Sequence, residues 1–275
     1  MSSTVAVSGA TGRLGRLITR IVETSDGLDL VASLDSSCAH EELLAAELLV
    51  DATPPAASHR IVPFAIEHGR KVLVASSGWS ADRIASLRSL VAAHPGSAAL
   101  VVPNFSLGSV LGTALAAVAG RFFDSIEIIE AHRAAKVDSP SGTSVRTAEL
   151  IGAARAERGP VRAPHADQLA RGQQVASIPI HSLRMDGVVA AQRVLMGAPG
   201  ELLTISHELH SDTAYEQGIS LALAALPEAE GVSVGLDALL DLGLPPLSEP
   251  ATSSPGLPEA GSPTVSGQAA RATAT

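Results

Sequence analysis

Residues 4–8, TVAVS, form a short apolar run rich in β-branched side chains, and they lead directly into Gly9-Ala10-Thr11-Gly12-Arg13-Leu14-Gly15. Such side chains pack well on a pleated sheet, so the run reads as a strand. After the glycines, Leu14, Leu17, Ile18, Ile21 and Val22 recur at helical spacing. A strand that turns tightly into a helix commits the chain behind it to a right-handed crossover and a parallel sheet.

The alternation continues. Residues 28–34 read as a second strand ending at Asp35, and residues 48–52 and 71–76 as two more. Residues 62–67 supply part of the helix between those two, residues 80–93 the next helix, and residues 100–102 a further strand. Strands alternating with helices predict an α/β fold, a Rossmann-like doubly wound parallel sheet.

The pattern changes after Pro103. Residues 110–119 read as a helix, 125–131 as a strand and 141–158 as a long helix. Alternating or apolar runs follow at 175–183, 188–196 and 202–208, with a hairpin connection at Gly197-Ala198-Pro199-Gly200. This predicts a second α+β domain carrying a mostly antiparallel sheet. Residues 213–225 are again helical, and 232–242 return to the first unit. The expected division is 1–105 plus about 213–246 for the first domain, and 106–212 for the second. From about residue 245 the chain is mostly Pro, Ser, Thr, Ala and Gly. Such a segment buries too little apolar surface to offset its ordering entropy, so a disordered tail is expected over 247–275.

Composition narrows the partners. Of the 275 residues 46% are hydrophobic but only 2% aromatic, so the core must be built of Ala, Val, Leu and Ile. The net charge of −9, with no basic stripe and few rings for stacking on bases, argues against nucleic acid. The single cysteine, Cys38, excludes an intramolecular disulfide and suits a reducing compartment. A strand pattern begins at Val5 in place of a leader, and the apolar run 43–50 is too short to span a bilayer. The expectation is a cytoplasmic protein that does not contact membranes.

Gly9, Gly12 and Gly15 sit where strand passes to helix, the usual seat of a dinucleotide pyrophosphate. Gly9 permits the tight turn, Gly12 the close approach of phosphate, and Gly15 the packing of helix on sheet. The spacing is G-x-x-G-x-x-G, and a glycine-rich turn without ligand is the competing reading. Asp35 closes the second strand about 20 residues after the loop, where an acid accepts hydrogen bonds from ribose hydroxyls. A carboxylate there repels a 2′-phosphate and favours NADH over NADPH, while Arg13 offers that phosphate a partner. Both cofactors stay open.

Residues 130–143 read EAHRAAKVDSPSGT. His132 and Lys136 are the candidates for proton transfer. Ser141-Gly142-Thr143, behind Pro140 at a helix start, offer free N–H groups to a carboxylate; an ordinary helix cap is the alternative. His207-Glu208-Leu209-His210 lacks the H-E-x-x-H spacing, so no metal is expected.

Together these segments resemble the 4-hydroxy-tetrahydrodipicolinate reductase family, once called dihydrodipicolinate reductase, over about residues 4–242. The resemblance rests on GATGRLG at 9–15, VPNFSLG at 102–108, EAHRAAKVDSPSGT at 130–143 and IPIHSLRMDGVVAAQ at 178–192. GAPGELLTISHE at 197–208 and GLDALLDL at 235–242 add to it. It implies NAD(P)H-dependent reduction of a small cyclic dicarboxylate in lysine and diaminopimelate biosynthesis. It implies proton-transfer roles for His132 and Lys136, and a substrate-carboxylate site at Gly142 and Thr143. The pyrophosphate loop becomes Gly9 to Leu14, with Ala75-Ser76-Ser77 and Pro103-Asn104-Phe105-Ser106 beside the cofactor. A homotetramer joined through the second-domain sheets is implied as well.

The chain departs from the family pattern at several positions. Arg133 stands for a second histidine and Ala135 for a basic residue. Ala75 replaces a glycine, Ala190-Ala191-Gln192-Arg193 replaces Ala-His-Gln-Glu, and Asp212 replaces an arginine. Arg133 is suited to hold a carboxylate bidentately. These changes leave open a related substrate or a non-catalytic nucleotide-binding role.

Overall fold

The computed structural model describes residues 2–35 and 39–240. Cys38, the Ser36-Ser37 pair beside Asp35, and the expected tail over 247–275 lie outside the described residues.

The first sheet has six strands: β1 (Ser3–Ser8), β2 (Leu28–Leu34), β3 (Leu48–Asp51), β4 (Lys71–Val74), β5 (Ala98–Val101) and β11 (Gly231–Val234). Their spatial order is β11-β5-β4-β3-β1-β2, and every neighbouring pair is parallel. Successive side chains on a strand point to opposite faces, and the two cores follow that rule. Val5, Val7, Val50 and Leu73 meet helices α1 (Arg13–Thr24) and α6 (Glu216–Ala225). Ala6, Leu49, Val72 and Val74 meet α2 (Pro55–Glu67) and α3 (Ala81–Ala93) on the other face. Strand order reverses at β1, with β2 on one side and β3 on the other, and a ligand crevice belongs at the carboxyl ends of such strands.

The second sheet runs β10-β9-β6-β8-β7. Its strands are β6 (Ser125–His132), β7 (Gln173–Val175), β8 (Ile178–Arg184), β9 (Ala190–Ala198) and β10 (Glu201–Leu209). It is mixed, because β6 pairs β8 in parallel while the other neighbours are antiparallel. Helices α4 (Leu107–Gly120) and α5 (Gly142–Ala154) cover one face, where Ile126, Ile128, Ile180, Val194 and Met196 are fully buried. The opposite face carries Ile129 and Leu195 with exposed Leu183 and Leu202. The β9–β10 hairpin turns at Pro199-Gly200, with Ala198 paired to Glu201 and Gly200 at φ +85°. Proline followed by a left-handed glycine suits a type II turn.

Two elements differ from the sequence expectation. The helix expected over 141–158 ends at Ala154; Arg155 leaves the helix, buries its side chain and donates to the Phe123 carbonyl at 3.2 Å. Gly159, at φ +85°, then closes a turn onto the Arg155 carbonyl. The run at 175–183 is two strands, because Ala176 and Ser177 have φ of 47° and 67° and form a tight hairpin between Val175 and Ile178. Neither residue is a usual left-handed turn former, which is why the run reads as continuous.

Candidate active site

The glycine loop forms as its spacing requires. Gly9 has φ +76°, and a Cβ there would stand 2.7 Å from the Ala52 carbonyl oxygen. A Cβ on Gly15 would stand 2.1 Å from the Gly9 carbonyl oxygen, so only glycine lets α1 start this close to its strand. Gly12 is the N-cap of α1, and the first turn of that helix gets no side-chain cap from its N-cap residue and no acid of its own.

From this loop an open cleft extends to the second sheet. Arg13, Leu14, Pro103, Asn104, Phe105 and Ser106 line it on one side, His132, Ser141, Thr143 and Gln192 on the other. Asn104 joins the two walls: its amide nitrogen is 2.9 Å from Ser109 Oγ and 3.4 Å from Thr143 Oγ1. Its side-chain oxygen accepts from Ser106 N at 3.0 Å.

Ser141 proves to be the N-cap of α5, accepting from Ser144 N at 3.2 Å, and is buried. Its hydroxyl thus serves the helix. Gly142 is exposed with open space around it, and Thr143 faces the cleft, so the first turn presents backbone to any anion placed there.

His132 Nδ1 lies 2.6 Å from a carboxylate oxygen of Glu130, which is 0% exposed. Arg184 approaches both oxygens of that carboxylate at 2.9 Å, and Ser141 N donates to it at 3.2 Å. Burial alone would raise the Glu130 pKa, but the bonds from His132, Arg184 and Ser182 outweigh it and bring it down to about 2. Lys136 is placed differently. It does not line the cleft, and its Nζ contacts both carboxylate oxygens of Asp138 at 2.7 and 2.8 Å. That hydrogen bond holds the Asp138 carboxyl below its usual range. Arg133 is exposed on the same turn, close enough to Tyr215 to pull against the rise that burial and the Asp212 charge impose on its hydroxyl.

The remaining sequence candidates do not line the cleft. Asp35 borders a shallow depression with Ser8, Leu34 and His40. Ser76 belongs to a buried network in which its hydroxyl contacts Ser58 at 2.6 Å and Asp51 at 3.3 Å, with Trp79 donating to both serines. Burial raises the Asp51 pKa despite hydrogen bonds from Ser58, Thr53 and Ser76. Ala75, Ser77 and Gly142 do not line the cleft.

Several cleft residues escape the sequence reading. His207 enters from β10, with Nε2 3.2 Å from Ser106 Oγ and its ring filling the space a Cβ on Gly108 would take. Burial, and secondarily His210, lowers its pKa. Asp212 and Tyr215 close the same side. Glu130 and His207 share one legible signal: each is a polar residue in the inward register of an apolar alternation, after Ile126 and Ile128 or Leu203 and Ile205. No group of three or more His, Cys, Asp or Glu among the described residues is placed to hold a metal.

Known proteins resemble this arrangement throughout. Residues 3–105 match the model of the dihydrodipicolinate reductase N-terminus, and residues 108–240 that of its C-terminus. The 4-hydroxy-tetrahydrodipicolinate reductase of Clavibacter sepedonicus is 57% identical over 242 residues, covering 88% of this chain and 87% of that protein. The Nocardia farcinica protein of the same name is 40% identical over 248 residues, covering 88% and 100%. In fold, the dipicolinate-bound dihydrodipicolinate reductase of Paenisporosarcina sp. TG-14 superimposes with a TM-score of 0.72 at 24% identity, covering 87% of this chain and all of that one. With both halves matched and a relative this similar, the chain belongs to the dihydrodipicolinate reductase family.

Proposed function

We propose that the protein reduces 4-hydroxy-tetrahydrodipicolinate to tetrahydrodipicolinate with NADH or NADPH, in lysine and diaminopimelate biosynthesis. The observation that carries this reading is the shared cleft: the phosphate loop at Arg13 and Leu14, His132, and the α5 terminus at Thr143 open onto one space. A bound nicotinamide supplies the hydride. Gly9 to Leu14 hold the pyrophosphate, Asp35 the adenosine ribose, and residues 75–77 and 103–106 border the rest.

The chain's own residues do the remaining work. The N–H groups of Gly142 and Thr143 hold one substrate carboxylate, and Arg133 the other. His132 and Lys136 handle the proton that must accompany hydride addition, while the 4-hydroxyl leaves as water. Holding the acceptor in a fixed pose supplies much of the rate. Lys136 serves after exchanging Asp138 for the substrate, a rotation within a partly exposed turn.

Asp35 supports NADH as the preferred cofactor. A cytoplasmic location belongs to this reading of a biosynthetic reductase; among the described residues no helix is long and apolar enough to cross a membrane. The sheet face bearing Ile129, Leu183, Leu195 and Leu202 suits a homotetramer joined sheet to sheet, to be checked by light scattering.

The direct test is a coupled assay with freshly generated hydroxy-tetrahydrodipicolinate, comparing NADH with NADPH, on wild type and Lys136→Ala. Absence of oxidation with either cofactor overturns the function; unchanged turnover in the variant overturns the role of Lys136. Ala191 and Asp212 in the cleft wall favour a second reading, a reductase of a related substrate carrying less negative charge. Turnover of such a substrate with none of hydroxy-tetrahydrodipicolinate would select it.

A further inference from the structure

Glu130 occupies a position that the strand pattern assigns to an apolar side chain, on the inward face of β6 behind Ile126 and Ile128. A buried carboxylate–guanidinium pair brings a desolvation cost that well-packed apolar residues avoid. Arg184 answers the charge of Glu130 bidentately and Ser182 adds a hydrogen bond, yet those bonds give no reason for the carboxylate's two remaining contacts. One is the cleft-lining His132 and the other is the N–H of Ser141, the cap of the helix whose first turn faces the cleft.

The chemistry of these contacts is restrictive. An ionised carboxylate accepts hydrogen bonds and donates none. The 2.6 Å contact therefore requires the proton to reside on His132 Nδ1, leaving Nε2 as the nitrogen that can exchange a proton with a ligand. The titratable or charged groups around Glu130 are His132 on its own strand and Arg184 from β8; its cross-strand neighbour on β9, Gln192, is neutral. Arg184 also donates to the Asp138 carbonyl at 2.6 Å, which ties the turn carrying Lys136 to the same centre.

We propose that Glu130 is a positioning residue: it fixes the tautomer of His132 and couples that ring to the α5 terminus, so that the proton-handling nitrogen and the carboxylate seat keep one spacing. The inference rests on reading the cleft as the hydride-transfer site, and it adds a residue that acts only through another.

Two measurements test it. In wild-type protein labelled with ¹⁵N-histidine, with His132 assigned by its absence from His132→Gln, the neutral ring is expected to be protonated at Nδ1. An Nε2-protonated neutral ring overturns the proposal. In Glu130→Gln, kcat is expected to fall on the order of 10²-fold, with the NADH dissociation constant within about twofold of wild type. Retained kcat, or a loss matched by weaker NADH binding, overturns it. Should Glu130→Gln fail to fold, the wild-type tautomer decides alone. Should wild type turn over no hydroxy-tetrahydrodipicolinate, the function reading fails, and the tautomer still decides the place of Glu130.

Discussion

Arg13 Nε lies 3.2 Å from a carboxylate oxygen of Asp212, bridging the phosphate loop to the segment just beyond β10. Both side chains line the cleft, so on the proposed reading the ion pair stands where the dinucleotide would enter. Asp212 partly neutralises Arg13, the cation that on the proposed reading stands nearest the phosphates.

Asp212→Asn is accordingly expected to tighten NADPH more than NADH, by roughly two- to fivefold, because a partly exposed pair is worth under about 1 kcal/mol. Fluorescence titrations at two salt concentrations check this. The gain should shrink as salt rises, since screening weakens both interactions. Equal effects on the two cofactors would place Arg13 away from the 2′-phosphate.

Glu130 makes acid stability measurable. Its pKa in the fold, about 2, lies below the ordinary glutamate value of 4.5. A depressed carboxylate stabilises the fold above its unfolded pKa, and that contribution is lost as pH falls toward the folded one. Wild type should therefore lose roughly 3 kcal/mol between about pH 5 and pH 2 from this group. Urea unfolding of Glu130→Gln across that range should be flatter than wild type.

Lys136 and Asp138 separate chemistry from surface pairing. Asp138 is well exposed, so Asp138→Asn should change unfolding free energy by less than about 1 kcal/mol. Its kcat should stay within about fivefold of wild type, whereas Lys136→Ala should lose on the order of 10²-fold. Steady-state kinetics with urea melts on both variants check the contrast.

Gly15→Ala tests the loop. The added Cβ meets backbone at 2.1 Å, so strand or helix must shift, at a cost of about 2 kcal/mol or more. NADH binding by calorimetry should be lost. Gly142→Ala, whose Cβ meets open space, should fold as wild type.

Much of the architecture was legible because it follows from period. The β1 run, the glycine loop and the α1 stripe announced a parallel sheet, and the edges of most elements fell within a few residues. What period misses is visible at Ala176-Ser177, where tertiary pairing forces two ordinary residues into left-handed conformations. The parallel β6–β8 pair was likewise hidden, since strand direction depends on the path of the intervening chain. At the site, His132, Thr143 and Arg13 reach the cleft as their motifs suggest, whereas Lys136 is turned to Asp138, a rotamer that no spacing encodes. His207, Asp212 and Tyr215 come from a segment far along the chain, so only folding brings them to the glycine loop.

The strand β11 carries a consequence for how the molecule is made. It pairs with β5, yet it is synthesised only after the whole second sheet. A nascent chain that has just completed β10 holds five strands of the first sheet with the β5 edge bare, and it lacks α6, whose Ile219, Ala222 and Leu223 fill one core. An open parallel edge beside an unfilled apolar face is a template for association. Premature termination before Glu216 should thus yield aggregate, and the late segment works as a clasp on the earlier fold.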